Sequence, residues 1–214
     1  MRAEYEKGLN FFDAPDLGEN LFIGRETEIQ QMGSILQPQS DTLGSTRKVL
    51  VLGGMGGIGK TQLAITYATR HRTCYTSIFW LNATSEVTLK TSFRNIAHRV
   101  LPPETASKLN EEQIFVLISN WLSEPDHTRW LLIFDNYDDP DQYSLDQYFP
   151  FVARGSVIVT TRQPNHINGD KIRMQPMSKE DYSFRVLATR SGRDDIASGR
   201  EISVQSGKSI SDHV

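Results

Sequence analysis

A glycine-rich run in the first third of the chain has the residue types and spacing of a phosphate-binding loop. It fits the pattern G-x-x-x-x-G-K-[ST] and consists of Gly54, Met55, Gly56, Gly57, Ile58, Gly59, Lys60 and Thr61. Glycines let the main chain curl with its N–H groups facing an anion, and they leave room for phosphate oxygens. Lys60 can reach the terminal phosphates as a positive charge, and the Thr61 hydroxyl can ligate Mg²⁺. The alternative is a glycine-rich turn that only begins a helix.

The segments on either side of this run favour the phosphate-binding interpretation. Residues 48–53 before it contain four successive valines and leucines, which is typical of a buried parallel strand. After it, apolar residues recur at helical spacing, at Leu63, Ala64, Tyr67 and Ala68. A helix that begins at the loop directs the positive end of its dipole at the anion. We therefore expect a nucleoside phosphate to bind here, and we include Gln62 among its contacts.

An acidic residue ends a second apolar run and is the candidate metal ligand. Residues 130–134 are apolar and are followed by Asp135. Parallel sheets bind ligands at the carboxyl ends of their strands, where such an acid can hold Mg²⁺ directly or through water. The alternative is that Asp135 only begins a turn, since residues 136–140 are turn-like. The phosphate loop upstream favours the metal site.

A third apolar, β-branched run, residues 156–161, ends at Arg162. If this strand lies between the strands of the two earlier motifs, Arg162 points at the terminal phosphate and can register a γ-phosphate. The alternative is a solvated arginine at the end of a strand. Lys60, Asp135 and Arg162 are thus the residues to which we assign catalytic roles.

Strand and helix signals alternate along the chain, which predicts an α/β fold with a parallel sheet covered by helices on both faces. The expected elements include a helix over about 26–36, a strand over 77–81, a helix that stops before Pro102, and a helix that begins at an N-cap box formed by Asn110 and Gln113. Three tryptophans fall on apolar faces and are expected in the core: Trp80, Trp121 and Trp130.

Length and charge are those of one globular unit. The 214 residues are 38% hydrophobic and carry a formal net charge of -3, which gives no sign of a nucleic-acid or membrane surface. No apolar run is long enough to span a membrane and no signal peptide begins the chain, so we expect a cytoplasmic location. Cys74 is the single cysteine and is assigned no role, and the five histidines lack metal-ligand spacing.

In their order along the chain, these motifs resemble those of the NB-ARC family of STAND nucleotide switches. The segment 22–26, Phe-Ile-Gly-Arg-Glu, is similar to the family's hhGRE segment beside the adenine. Residues 155–162 are similar to its GSxIxxTTR strand, and 174–181 to the start of its next helix. The amino-acid sequences of the strands are most similar to those of fungal NOD-like receptors.

The resemblance implies the fold and the ligands. The fold is the three-layer P-loop NTPase fold with a parallel sheet of order 5-1-4-3-2. The cofactors are ADP or ATP with Mg²⁺, and the metal ligands are Thr61 and Asp135. Further nucleotide contacts come from the hhGRE segment, at Phe22, Ile23, Gly24 and Arg25.

The resemblance also divides the chain into an N-terminal arm at 1–20, an NB-ARC domain at 21–190 with a helix over about 178–190, and a tail at 191–214. The tail is rich in Ser, Gly and charge and has no aromatic residue, so we expect it to be disordered. The lid, winged helix and sensor repeats of the family do not follow in this sequence. We therefore expect weakened nucleotide retention, and self-association or protein partners would act through those regions.

Asn136 stands where many relatives carry a second acid after the metal-binding aspartate. An amide can hydrogen-bond a water but cannot take its proton, so we expect slow or no hydrolysis. Asp138 or Asp139 could substitute, although a flexible turn positions a base poorly. The leading function is a nucleotide-binding signalling module of an innate-immunity or incompatibility receptor. The alternatives are a folded remnant or decoy that does not switch, and a small-molecule P-loop kinase.

Overall fold

The computed structural model describes residues 11–16, 24–36, 46–125, 127 and 129–176. The helix expected over 178–190, the tail at 191–214, and the predicted contacts Phe22 and Ile23 lie outside the described residues. The strands are β1 (Phe11–Phe12), β2 (Lys48–Gly53), β3 (Ser77–Asn82), β4 (Trp130–Asp135), β5 (Ser156–Thr161) and β6 (Asp170–Arg173). The helices are α1 (Glu26–Leu36), α2 (Lys60–Arg70), α3 (Glu86–Val100), α4 (Pro103–Ala106) and α5 (Glu111–Leu122), with short 3-10 helices at Arg72–Cys74, Leu145–Tyr148 and Pro164–His166.

Within the described residues, six parallel strands form one sheet in the order β1-β3-β4-β5-β2-β6. Counted from β2, the strands β2 to β6 have the order 5-1-4-3-2 that the sequence predicts, so that prediction is confirmed. Strand β5 pairs with β2 on one side, with Leu52 opposite Thr160, and with β4 on the other, with Phe134 opposite Val159. The carboxyl ends of these strands therefore meet at one edge of the sheet.

The sheet differs from the expected one by its sixth strand, β1, which comes from the predicted N-terminal arm. Phe11 and Phe12 pair with Ser77 and Ile78 of β3. The Phe11 ring stacks on Phe79, with centroids 5.7 Å apart. A strand of two residues is too short to show any periodicity in the sequence, and partial burial of the Phe11 ring holds the strand at the sheet edge.

Two apolar clusters cover the two faces of the sheet and make the predicted three layers. Alternate residues of a strand point to opposite faces, so Leu132 and Phe134 of β4 join one cluster while Leu131 and Ile133 join the other. Helices α3 and α5 pack on the first face, and α1 and α2 on the second. Among the tryptophans, Trp130 is fully buried, whereas Trp80 and Trp121 are partly buried against the clusters.

Helix α5 begins at the capping box that the sequence predicts. The Asn110 side chain accepts a hydrogen bond from the Gln113 N–H at 2.9 Å, and the Gln113 side chain accepts one from the Asn110 N–H at 3.0 Å. Both pairs satisfy N–H groups that a helix start otherwise leaves unbonded. Across the part of the chain that the structure describes, no helix is both long and apolar enough to cross a membrane.

Candidate functional site

The glycine-rich loop connects β2 to α2 through backbone conformations that favour glycine. Gly54, Gly57 and Gly59 have φ angles of 155°, 76° and 97°, in the region that side chains with a Cβ rarely adopt. Gly59 immediately precedes α2, so the unbonded N–H groups of the first turn of α2 lie at the loop. A Cβ added at Gly57 would meet no atom within 4 Å. The loop is thus open at Gly57, and it fits an anion bound by main-chain N–H groups.

Lys60 is 7% exposed and folds back over the loop. Its Nζ donates hydrogen bonds to the carbonyls of Gly54 at 2.8 Å and Met55 at 3.0 Å. Burial lowers the pKa of the Lys60 ammonium, and the nearby Asp138 charge opposes that effect. No carboxylate of the described residues forms an ion pair with Lys60. Its charge is therefore available to a phosphate.

Asp135 ends β4 as a buried carboxylate that neighbouring hydroxyls contact. Its Oδ1 accepts hydrogen bonds from Thr61 Oγ1 at 2.9 Å and Thr160 Oγ1 at 2.6 Å, and its Oδ2 accepts one from Asn136 Nδ2 at 3.2 Å. Burial raises the pKa of the Asp135 carboxyl, and the bonds from the two threonines oppose the increase. Carboxylate and hydroxyl oxygens are donors that Mg²⁺ prefers, so Thr61 and Asp135 together fit that ion.

Thr160 contacts the candidate site, although the sequence analysis did not single it out. It is fully buried in β5, where its hydroxyl contacts Asp135 and also accepts the Asn136 N–H at 2.9 Å. The signal that could have indicated Thr160 is a hydroxyl near the end of the apolar strand β5, which neighbours β4 and its Asp135. Thr160 therefore fixes both the carboxylate and the main chain that follows it.

Arg162 follows β5 and reaches the phosphate loop, as its placement in the sheet predicts. Its guanidinium lies against Gly56, where an added Cβ would be 3.3 Å from Arg162 Cζ. Arg162 Nε lies 2.8 Å from Asp138 Oδ2, and the Arg162 N–H donates to Asp138 Oδ1 at 2.7 Å. A cation thus borders the loop on the side of β5.

The remaining predicted contacts have different environments. Arg25 has a φ angle of 64°, and its guanidinium pairs with Glu28 at 2.8 Å and donates to the Gln175 carbonyl at 2.7 Å. The neighbouring Met174 N–H donates to the Gly53 carbonyl at 2.8 Å, so Arg25 is linked to the chain beside the loop. The side chains of Gln62 and Met55 are exposed, and Ile58 is partly buried against the α1 and α2 cluster.

A glycine-rich loop between a strand and a helix, an acid on a second strand, and this strand order define a P-loop NTPase fold. The model of the NB-ARC domain family matches residues 26–190. The chain therefore belongs to the NB-ARC family and carries the nucleotide-binding module of that family.

Individual proteins support the same assignment. A nucleotide-binding leucine-rich repeat (NLR)-like protein of Hyaloscypha variabilis is 32% identical over 175 residues, which cover 72% of this chain and 17% of that relative. The chain thus spans only a small part of that relative's length.

Two solved structures share the fold. One is Cdc6p from Pyrobaculum aerophilum, with a TM-score of 0.59 and 17% identity, covering 83% of this chain and 52% of that one. The other is the ORC2 protein of Aeropyrum pernix in ADPNP-ADP complexes, with a TM-score of 0.55 and 19% identity, covering 86% and 55%.

Proposed function

We propose that this NB-ARC domain binds ADP and ATP together with Mg²⁺ and is the nucleotide-gated module of a STAND-type signalling switch. In such a switch the bound nucleotide biases a conformational equilibrium. The contact between the Thr61 hydroxyl and the Asp135 carboxylate carries the proposal, because it joins the phosphate loop to the acid of β4 in one site. The loop glycines and the open position at Gly57 supply the anion-binding half.

Each residue of the site has a separate task in this proposal. Main-chain N–H groups of the loop hold the phosphates, except those of Gly54 and Ile58, which donate to the Thr161 and Met55 carbonyls. Lys60 adds a positive charge. Thr61 and Asp135 hold Mg²⁺, which neutralises charge on the phosphates when it is bound. Arg162 contacts the terminal phosphate. The hhGRE segment, with Gly24 and Arg25, lies on the adenine side.

Hydrolysis is slow or negligible in this proposal. Asn136 follows the metal-binding acid, and its side-chain nitrogen donates to Asp135 Oδ2 at 3.2 Å. An amide has no proton-accepting role at ordinary pH, so the site lacks a base at this position. A site that binds ATP but hydrolyses it slowly is suited to a switch, because the output of a switch depends on which nucleotide is bound.

The setting of the module is an intracellular, receptor-like protein of innate immunity or incompatibility. The similarity to the NLR-like protein of Hyaloscypha variabilis supports this setting. Protein partners or self-association would involve regions of such a protein beyond the nucleotide-binding domain.

Thermal unfolding in the presence of nucleotide tests the proposal. A ligand at a hundred times its Kd stabilises a folded protein by about 2.7 kcal/mol, which shifts Tm measurably. We expect ADP and ATP with Mg²⁺ to raise Tm, and Lys60→Ala to remove the shift. Lys108→Ala, which removes an exposed lysine outside the site, is the matched control. A folded wild-type protein whose Tm does not change with nucleotide would instead support the alternative of a remnant that does not switch. Phosphoryl transfer to an acceptor would support the alternative of a small-molecule kinase.

A further inference from the structure

Asp138 lies in a turn that is tied to the end of β5. Its N–H donates to the Asn136 carbonyl at 3.0 Å, and its own carbonyl accepts a hydrogen bond from Gln163 Nε2 at 3.0 Å. Asn136 has a φ angle of 64°, and the N–H of Tyr137 donates to the Thr160 carbonyl at 3.0 Å, so the chain after β4 stays beside β5. The turn that the sequence suggests to be flexible is therefore anchored at Asp138.

Both carboxylate oxygens of Asp138 contact Arg162. Oδ1 accepts the main-chain N–H of Arg162 at 2.7 Å, and Oδ2 lies 2.8 Å from its Nε. One carboxylate thus contacts both the main chain and the guanidinium group of Arg162. An arginine restrained at both ends loses less conformational freedom when it binds a phosphate.

The restrained guanidinium faces the phosphate loop with its outer nitrogens available. Its Cζ and Nη2 lie 3.3 Å, and its Nε 3.4 Å, from the position that a Cβ would take at Gly56. These nearly equal distances show that the guanidinium lies flat against the loop. Among the described residues, no hydrogen bond engages Nη1 or Nη2 of Arg162. These two nitrogens form the edge with which arginine binds phosphate oxygens in pairs.

We propose that Asp138 is a positioning residue that raises the affinity of this domain for ATP relative to its affinity for ADP, a ratio that we call the ATP preference. It holds Arg162 against Gly56 with Nη1 and Nη2 free for the γ-phosphate, which ATP carries and ADP lacks. This inference rests on the proposed nucleotide binding and assigns its selectivity to a pair of residues. The negative charge of Asp138 acts in the opposite direction, because it disfavours phosphates.

The test is a set of dissociation constants, measured by calorimetry, for ADP and for a non-hydrolysable ATP analogue. We expect Asp138→Ala to lower the ATP preference by about tenfold and to change ADP affinity by less than about threefold. Asp138→Glu keeps the charge but displaces the carboxylate, so it separates positioning from charge and should also lower the preference. Asp139→Asn is the matched control, because Asp139 contacts Gln142, and it should retain the wild-type preference.

A double-mutant cycle with Arg162→Ala separates positioning from a general structural effect. When Arg162 is already removed, Asp138→Ala should change the ATP preference by less than about twofold. If Asp138→Ala lowered the ATP preference equally in the wild-type and Arg162→Ala proteins, the inference would be overturned. An unchanged or increased ATP preference in Asp138→Ala would also overturn it. Circular dichroism checks that each variant is folded. If the wild-type protein binds neither nucleotide, the proposed function itself fails; if it binds both and Asp138→Ala retains the wild-type preference, only this inference fails.

Discussion

Thr61 Oγ1 lies 2.9 Å from Asp135 Oδ1, although the two residues are 74 positions apart in the sequence. Thr61 is the last residue of the phosphate loop and Asp135 the last residue of β4. They meet because β5 lies between β2 and β4 and aligns the carboxyl ends of the three strands. The sheet order therefore creates the pair of oxygen ligands that the proposed Mg²⁺ site needs.

Removal of the Thr61 hydroxyl should abolish the increase in nucleotide affinity that Mg²⁺ produces. We expect Mg²⁺ to increase the nucleotide affinity of the wild-type protein by about tenfold or more, and Thr61→Ala to remove this gain. Thr61→Ser retains the hydroxyl and should retain the gain. Titrations with ADP in the presence of Mg²⁺ or a chelator measure the effect. A Thr61→Ala protein with the full Mg²⁺ gain would show that this hydroxyl is not a ligand.

As the pH falls, the nucleotide affinity that depends on Mg²⁺ should begin to weaken at a pH above the usual pKa of an exposed aspartate. Burial raises the pKa of Asp135, so its protonated form is populated at higher pH than that of an exposed carboxyl. Mg²⁺ requires the ionised form, so affinity is full above the raised pKa and is lost as the pH falls through it. Mg²⁺ titrations across a pH series measure the profile. Asp135→Asn should bind nucleotide without this pH-dependent Mg²⁺ gain; the same profile in that variant would assign the titration to another group.

Two glycine substitutions should separate binding from folding. A Cβ at Gly155, where φ is 80°, would lie 2.3 Å from Trp130, so Gly155→Ala should destabilise the fold by about 3 kcal/mol. At Gly57 a Cβ meets no neighbour, so Gly57→Ala should cost only about 1–2 kcal/mol of backbone strain while nucleotide affinity falls. Urea denaturation and ADP titration give the two quantities. Equal loss of stability in both variants would make Gly57 a structural residue.

ATP turnover by the purified domain should stay below a few cycles per minute. Asn136 supplies no proton acceptor next to Asp135, so Asn136→Asp should increase the rate by providing one. A phosphate-release assay at saturating ATP and Mg²⁺ measures both proteins. Faster turnover by the wild-type protein, together with its loss in Asn136→Ala, would reverse the role assigned to Asn136.

The main elements of the candidate site were predictable because each candidate residue stands next to a recognisable element. Lys60 and Thr61 begin a helix after an apolar strand, Asp135 ends a strand, and Arg162 follows one. The positions of such residues follow from the strand order, which the family resemblance supplied. Strands β2 to β5 and the closeness of Arg162 to the loop accordingly agree with the sequence-based expectations, whereas the sequence analysis assigned no position to β6 (Asp170–Arg173), which only the family's strand order implied.

The rest depends on contacts that no local pattern shows. Strand β1 is held by the rings of Phe79 and Trp121, which lie far along the chain from Phe11. The Thr160 hydroxyl contacts Asp135 only because the two strands pair side by side. The contact between Asp138 and Arg162 joins the segments that follow β4 and β5, and the left-handed backbone at Asn136 gives no distinctive signal in the sequence.

The central claim is that the loop and Lys60 hold the phosphates of an adenine nucleotide. Calorimetric titration of the folded domain with ADP and ATP in the presence of Mg²⁺ tests it most directly. We predict saturable heat for the wild-type protein and for Lys108→Ala, and an affinity at least about a hundredfold lower for Lys60→Ala. The absence of binding heat in a folded wild-type sample at millimolar nucleotide, or unchanged binding by Lys60→Ala, would contradict the claim.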